Sequence, residues 1–302
     1  MSRLLILLSA LCFGTTGTAQ ALGAAGASPI TVGEARIVIG ALGLQLAARR
    51  VTRGSPMPVR VAVLPRDPRM WMAAAAVAGY QVTFFLAVRS TGVAVGTVVA
   101  LGSAPVVTGA LGWAAGHGRP GLRWAAATAL AATGLAILTL TAGSAQVSLD
   151  GVLLALGAAL SYAVYTLTVK RALVAGAGAE ATMAALFTGG ALLLAPALFV
   201  LPVGWLATVP GASTAIWLGL VPTALAYVLF ARGLHGLSAA EASTLTLAEP
   251  LTAALLGVLL LDERLTAGTL SGAALLLLGL VVLGVARRST GPAVPGPSAV
   301  IS

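Results

Sequence analysis

Residues 238–260 read SAAEASTLTLAEPLTAALLGVLL, an apolar run of 23 residues interrupted by two acids, Glu241 and Glu249. A helix rising about 1.5 Å per residue crosses a hydrocarbon core of about 30 Å over such a run. Glu249 is the twelfth residue, near the bilayer centre, and a proline follows it at once. Nine more runs of this kind occupy roughly 4–23, 30–48, 70–88, 92–113, 122–142, 150–170, 181–201, 212–232 and 267–286. They are continuous rather than alternating, which excludes a membrane β-barrel. Backbone groups in lipid must be satisfied within the segment, so the runs are helices. The sequence predicts an all-α integral membrane protein with ten transmembrane helices.

Composition agrees. Apolar types make up 59% of the 302 residues and charged types 8%, against about 25% charged in soluble domains. A soluble enzyme, a disordered chain and a nucleic-acid binder are excluded. The net charge of +9 reflects basic residues in short breaks between apolar runs, not a polyanion site. Cys12 is the lone cysteine, so neither an intrachain disulfide nor a cysteine metal cluster is expected. No G-x-x-x-x-G-K-[ST], H-E-x-x-H, G-x-S-x-G or D-D-x-x-D pattern occurs. No catalytic residue, metal or cofactor is therefore expected, and no ATPase subunit is implied. The expected partners are the lipid bilayer and a small-molecule substrate, with the chain a monomer or homodimer.

The basic residues also orient the chain. With a cytoplasmic N-terminus, the inner segments hold Arg3, Arg49, Arg50, Arg53, Arg60, Arg66, Arg69, Arg119, Arg123, Lys170, Arg171, Arg232, Arg287 and Arg288. The outer segments hold only Arg89 and Arg264. This asymmetry predicts both termini on the cytoplasmic side of a cell membrane. The first run also carries features of a secretory leader, Arg3 and then Ala19-Gln20-Ala21. Against a leader, Ala10-Leu11-Cys12-Phe13 echoes Ala159-Leu160-Ser161-Tyr162 of the sixth run, as a retained helix would.

Two stretches align without a gap at an offset of 145: FLAVRSTGVAVGTVVALGSAPVVTGALG from Phe85 and FARGLHGLSAAEASTLTLAEPLTAALLG from Phe230. Phe85/Phe230, Pro105/Pro250, Gly112/Gly257, Arg119/Arg264 and Gly134/Gly279 coincide. Five spans per half is odd, so the second half is expected upside down relative to the first. Inverted repeats characterise secondary transporters, with the substrate site near the midplane. The expected units are 1–143, 150–288 and a disordered tail, 289–302.

The run SAAEASTLTLAEPLTAALLGVLLLDERLTAGTLSGAALLLLGLVVLG from Ser238, GVLLALGAALSYAVYTLTVKR from Gly151 and the Pro29…Arg36 entry to the second run carry a resemblance. The chain resembles EamA-type members of the drug/metabolite transporter superfamily over about residues 4–286. The first half departs from the motif, with Ala104 and Gly118 where the second half has Glu249 and Glu263. The resemblance implies two inverted five-helix repeats and export of small metabolites, often amino acids or related compounds, through a central cavity. A multidrug or lipid-intermediate flippase is the alternative, and an intramembrane enzyme or scaffold a more distant one.

Glu249 heads the candidate residues. A charge at that depth costs about 2.5–3.5 kcal/mol on insertion scales. It reads either as a substrate-amine or proton site, or as an acid bonded to helix carbonyls. Pro105 and Pro250 lie mid-span and free the carbonyls of Leu101 and Thr246. Arg36 either snorkels to the outer interface or meets an anionic group; Glu34, two residues away, cannot share its helix face. Glu241 is expected to snorkel or pair with Arg232, and Asp262, Glu263 and Arg264 to form an outer loop cluster. Ser103, Tyr80, Phe84, Tyr162 and Tyr165 complete the site set. Phe13, Thr15, Thr16, Gln81, Ser161, Tyr227 and Thr244 are individually weaker cavity candidates. Gly92…Gly96 and Gly112…Gly116 have the spacing of close helix crossings, though chance matches are common in a chain with 37 glycines.

Overall fold

The computed structural model describes residues 1–23, 27–54, 67–140, 148–261 and 266–284. The Asp262–Glu263–Arg264 cluster, most of the basic second connection and the 289–302 tail lie outside the described residues. Ten helices are long and apolar enough to cross a membrane, and the protein is a multi-pass membrane protein. They are α1 (Ser2–Gly23), α2 (Pro29–Gly54), α3 (Pro68–Gly92), α4 (Val95–Ala114), α5 (Leu122–Leu140), α6 (Leu149–Val174), α7 (Ala179–Leu198), α8 (Val209–His235), α9 (Ala239–Leu261) and α10 (Ala267–Gly284).

Local chemistry sets the helix starts. Asp67 accepts from the Arg69 N–H at 2.9 Å ahead of Pro68, and Ser148 accepts from the Gly151 N–H at 3.1 Å. Ser238 and Glu241 form a reciprocal capping box at α9. Each device satisfies amide donors that a helix start leaves free. Between α3 and α4 there is no polar loop. Gly92 takes φ 80°, ψ 163°, a conformation open to glycine and costly for other residues, and the chain turns there.

Two helices are irregular inside the membrane. Pro222 has no N–H for the Leu218 carbonyl, and the Thr223 hydroxyl donates to that carbonyl instead at 2.8 Å. The chain widens there into a π-turn over Leu220–Leu225. Pro250 is preceded by a tight 3-10 turn, Thr246–Ala248, so α9 changes pitch just before Glu249.

Helices pack through small residues, as expected where lipid removes the hydrophobic drive for association. α1 packs on α8 and α9, α2 on α7 and α8, α6 on the α3–α4 pair, and α5 on α10. A Cβ on Gly134 of α5 would stand 2.7 Å from the Gly272 oxygen of α10 and would strike Leu276. One on Gly279 would stand 2.7 Å from the Ala127 oxygen and the Ala131 nitrogen. Adding 145 to 127, 131 and 134 gives 272, 276 and 279, so this antiparallel crossing is reciprocal. The Gly92…Gly96 and Gly112…Gly116 pairs do not make such crossings: Gly92 and Gly116 both take positive φ, Gly116 in the turn after α4.

Candidate functional site

Arg36 does not snorkel. Its Nη2 donates to Gln81 Oε1 of α3 at 3.0 Å, while Arg36 Nε and Gln81 Nε2 are buried without a partner among the described residues. Gly33 permits this approach, since a Cβ there would stand 2.7 Å from Gln81 Nε2. Glu249 begins the regular part of α9 after the 3-10 turn. Its backbone oxygen lies where a Cβ on Gly14 of α1 would come within 2.7 Å. The Glu249 residue is half-buried.

Arg36 and Glu249 lie within electrostatic reach of each other and of Tyr80 of α3 and Tyr227 of α8, and among the described residues they do not close to an ion pair of 4.0 Å or less. Aromatic side chains cluster here. Tyr162 and Tyr165 pack edge to face at 5.1 Å, Tyr165 and Tyr227 lie 6.3 Å apart, and the Tyr80 ring stacks on Phe84 at 5.6 Å. Phe13 and Phe187 close on Tyr227 at 5.0 and 4.3 Å. The Tyr162 hydroxyl lies 3.3 Å from Thr246 Oγ1, so the turn before Glu249 is tied to α6.

Thus Tyr162 is tied to Thr246 and packs on Tyr165, Phe84 stacks on Tyr80, Arg36 and Glu249 lie within electrostatic reach of Tyr80, and Pro250 follows Glu249. The Ser103 hydroxyl donates to the Val99 carbonyl of its own helix. Pro105 is buried within α4. Gln81, Phe13 and Tyr227 make more of these contacts than their sequence signal suggests; Gln81, a polar residue beside Tyr80 in an apolar run, is the legible one. Glu241 pairs with Arg3 at 3.7 Å, not with Arg232. Arg232 instead donates through Nε to Glu180 at 2.6 Å, because α7 packs against the end of α8.

The model of the EamA-like transporter family matches residues 1–140 and again 149–285. The chain belongs to the EamA-like transporter family. That family lies within the drug/metabolite transporter superfamily. The chain is 42% identical over 285 residues to the uncharacterized transporter YwfM of Bacillus subtilis (strain 168), covering 94% of each protein. It is 35% identical over 133 residues, 44% of the chain and 47% of the relative, to an uncharacterized transporter of Archaeoglobus fulgidus. A solved crystal structure superposes with a TM-score of 0.80 at 19% identity, covering 94% of this chain and 98% of the other, a likeness of fold. Family and relatives alike indicate that this EamA protein is a transporter.

Proposed function

We propose that this EamA transporter exports a small zwitterionic metabolite, an amino acid or related compound, by alternating access. The observation that carries the reading is Arg36, held by Gln81 with its Nε buried and unpartnered among the described residues, within electrostatic reach of Glu249 and beside a cluster of tyrosines. Arg36 has an unpartnered Nε for a carboxylate, and a guanidinium fork suits that group. Glu249 offers an acceptor for an ammonium group, and aromatic faces around it favour a cation. A substrate bearing both charges would satisfy two groups that are costly to leave unpaired in lipid.

Under this reading residues 1–143 and 150–288 are inverted repeats. The reciprocal α5–α10 crossing supports it, since a two-fold axis relating antiparallel spanning helices lies in the membrane plane. Both termini face the cytoplasm, on the strength of the basic residues.

The test is flux into proteoliposomes containing only this protein, with a panel of labelled amino acids. Saturable flux of at least one is expected, lost in Arg36→Ala. In Glu249→Gln, which keeps shape but cannot ionise, flux should fall and its pH profile flatten. No amino-acid flux, or wild-type flux and pH profile in both variants, would reject the reading.

A further inference from the structure

One acid in the membrane region has no role in the zwitterion site. Glu34 of α2 is 2% exposed, and neither of its carboxyl oxygens has a hydrogen-bond partner among the described residues. Two residues from Arg36, it points about 200° away around the helix. The elements packed on α2 are α3, α7 and α8. Their charged groups are Arg69 and Arg89 on α3, Glu180 on α7, and Arg232 with His235 on α8; Tyr80 and Tyr227 are the tyrosines there. None of these, nor Arg36, hydrogen-bonds or ion-pairs with Glu34 among the described residues. An ionised carboxylate held without a partner is strongly disfavoured, so the enclosed site fits the protonated acid.

Access is near. Thr31, one turn towards the start of α2, accepts from Trp205 Nε1 at 3.1 Å and donates to the Ser28 carbonyl at 3.0 Å. Ala27, Ser28, Pro202, Gly204 and Trp205 line a cleft of about 330 Å³ at the same end. The Trp205–Thr31 bond therefore joins the lining of this cleft to α2 one turn from Glu34.

We propose that Glu34 is a proton-binding site of the transport cycle, separate from the substrate contacts at Arg36 and Glu249. The idea rests on the transporter reading above and adds where the driving ion is carried. In the state described, the carboxyl keeps its O–H bond. When the Trp205 segment moves aside, that bond breaks, the proton passes to water and the carboxylate is hydrated. Return of a proton from water restores the enclosed acid.

Infrared spectra of the full chain in lipid, without substrate and across a pH series, test this directly. The wild type should show a carboxylic-acid carbonyl band that disappears as pH rises. Glu34→Gln should remove that component and Glu249→Gln should leave it. A band unchanged in Glu34→Gln would overturn the proposal. Should Glu34→Gln fail to fold by circular dichroism, Glu34→Asp supplies the same test, a shifted band being expected and an unshifted one overturning. A second measurement imposes a pH gradient on proteoliposomes given a labelled mixture of the protein amino acids. Glu34→Gln should lose gradient-driven accumulation and keep exchange; wild-type accumulation would overturn the proposal. The infrared result contains no substrate, so it stands or falls apart from the amino-acid reading.

Discussion

Gly134 of α5 and Gly272 of α10 meet backbone to backbone: a Cβ on Gly134 would stand 2.7 Å from the Gly272 oxygen, and one on Gly272 would stand 2.8 Å from the Gly134 oxygen. Nothing on either side is a flexible side-chain end that could yield. Gly134→Ala and Gly272→Ala should each cost about 1–3 kcal/mol through overpacking, read as lower thermal stability in detergent. Gly279→Ala should resemble Gly134→Ala, as the reciprocal crossing requires. Gly17→Ala on α1, where a Cβ meets nothing within 4 Å, is the control, and should be neutral or stabilising by up to about 1 kcal/mol. Equal effects at all four glycines would reject the argument.

Gly14 is expected to be a functional position without touching substrate. Its contact is the Glu249 backbone and Thr252, so Gly14→Val should push α1 from α9 and displace the carboxylate. A shift of order 1 Å can cost about a hundredfold in a positioned site. Flux should fall at least about tenfold in protein that still folds. Wild-type flux in Gly14→Val would show that the α1–α9 contact does not set the Glu249 position.

Arg36→Lys should not be conservative. A lysine ammonium keeps the charge but not the fork that reaches Gln81 while leaving donors for a ligand. Losing one charge-assisted bond, worth about 1.5–3 kcal/mol, predicts an apparent affinity about tenfold weaker or more. The check is half-saturating substrate concentration in proteoliposomes, where an unchanged value would count against substrate contact by the guanidinium.

Topology is checked by chemistry at two positions outside the described residues. In a Cys12→Ala background, a lone cysteine at Ser144 should react with an impermeant thiol reagent on intact cells, and one at Ser55 should not. Labelling of Ser55→Cys alone would reverse the orientation derived from the basic residues.

The spans were legible because their signal is a sum over about 20 residues, and the helix ends fall within a few residues of the apolar-run limits. Side-chain partners were not, because they depend on which helix faces meet. In lipid both faces of a helix are apolar, so the sequence around Arg36 does not say whether it turns to the interface or to Gln81. The Arg232 pairing offered for Glu241 does not form, for a related reason: Arg232 is near in sequence, but the neighbour of the α9 start is Arg3 of α1. The Ser103 hydroxyl bonds its own backbone, as hydroxyls in apolar helices can, a choice no sequence pattern announces. The packing of Tyr162, Tyr165 and Tyr227 on one another fits the tendency of aromatic groups with polar tips to turn away from hydrocarbon at depth.

The π-turn at Leu220–Leu225 means that α8 holds a surplus residue, and this makes its tolerance of one kind of genetic change uneven along its length. Removing Val221 would let the stretch relax into ordinary α-turns, and Tyr227 and Phe230 would still face Tyr165 and Tyr162. The same loss in a regular turn of the helix would rotate everything beyond by about 100° and carry those two rings off their neighbours. A deletion of three nucleotides is therefore expected to be borne within the widened turn and to be ruinous a few codons on either side of it.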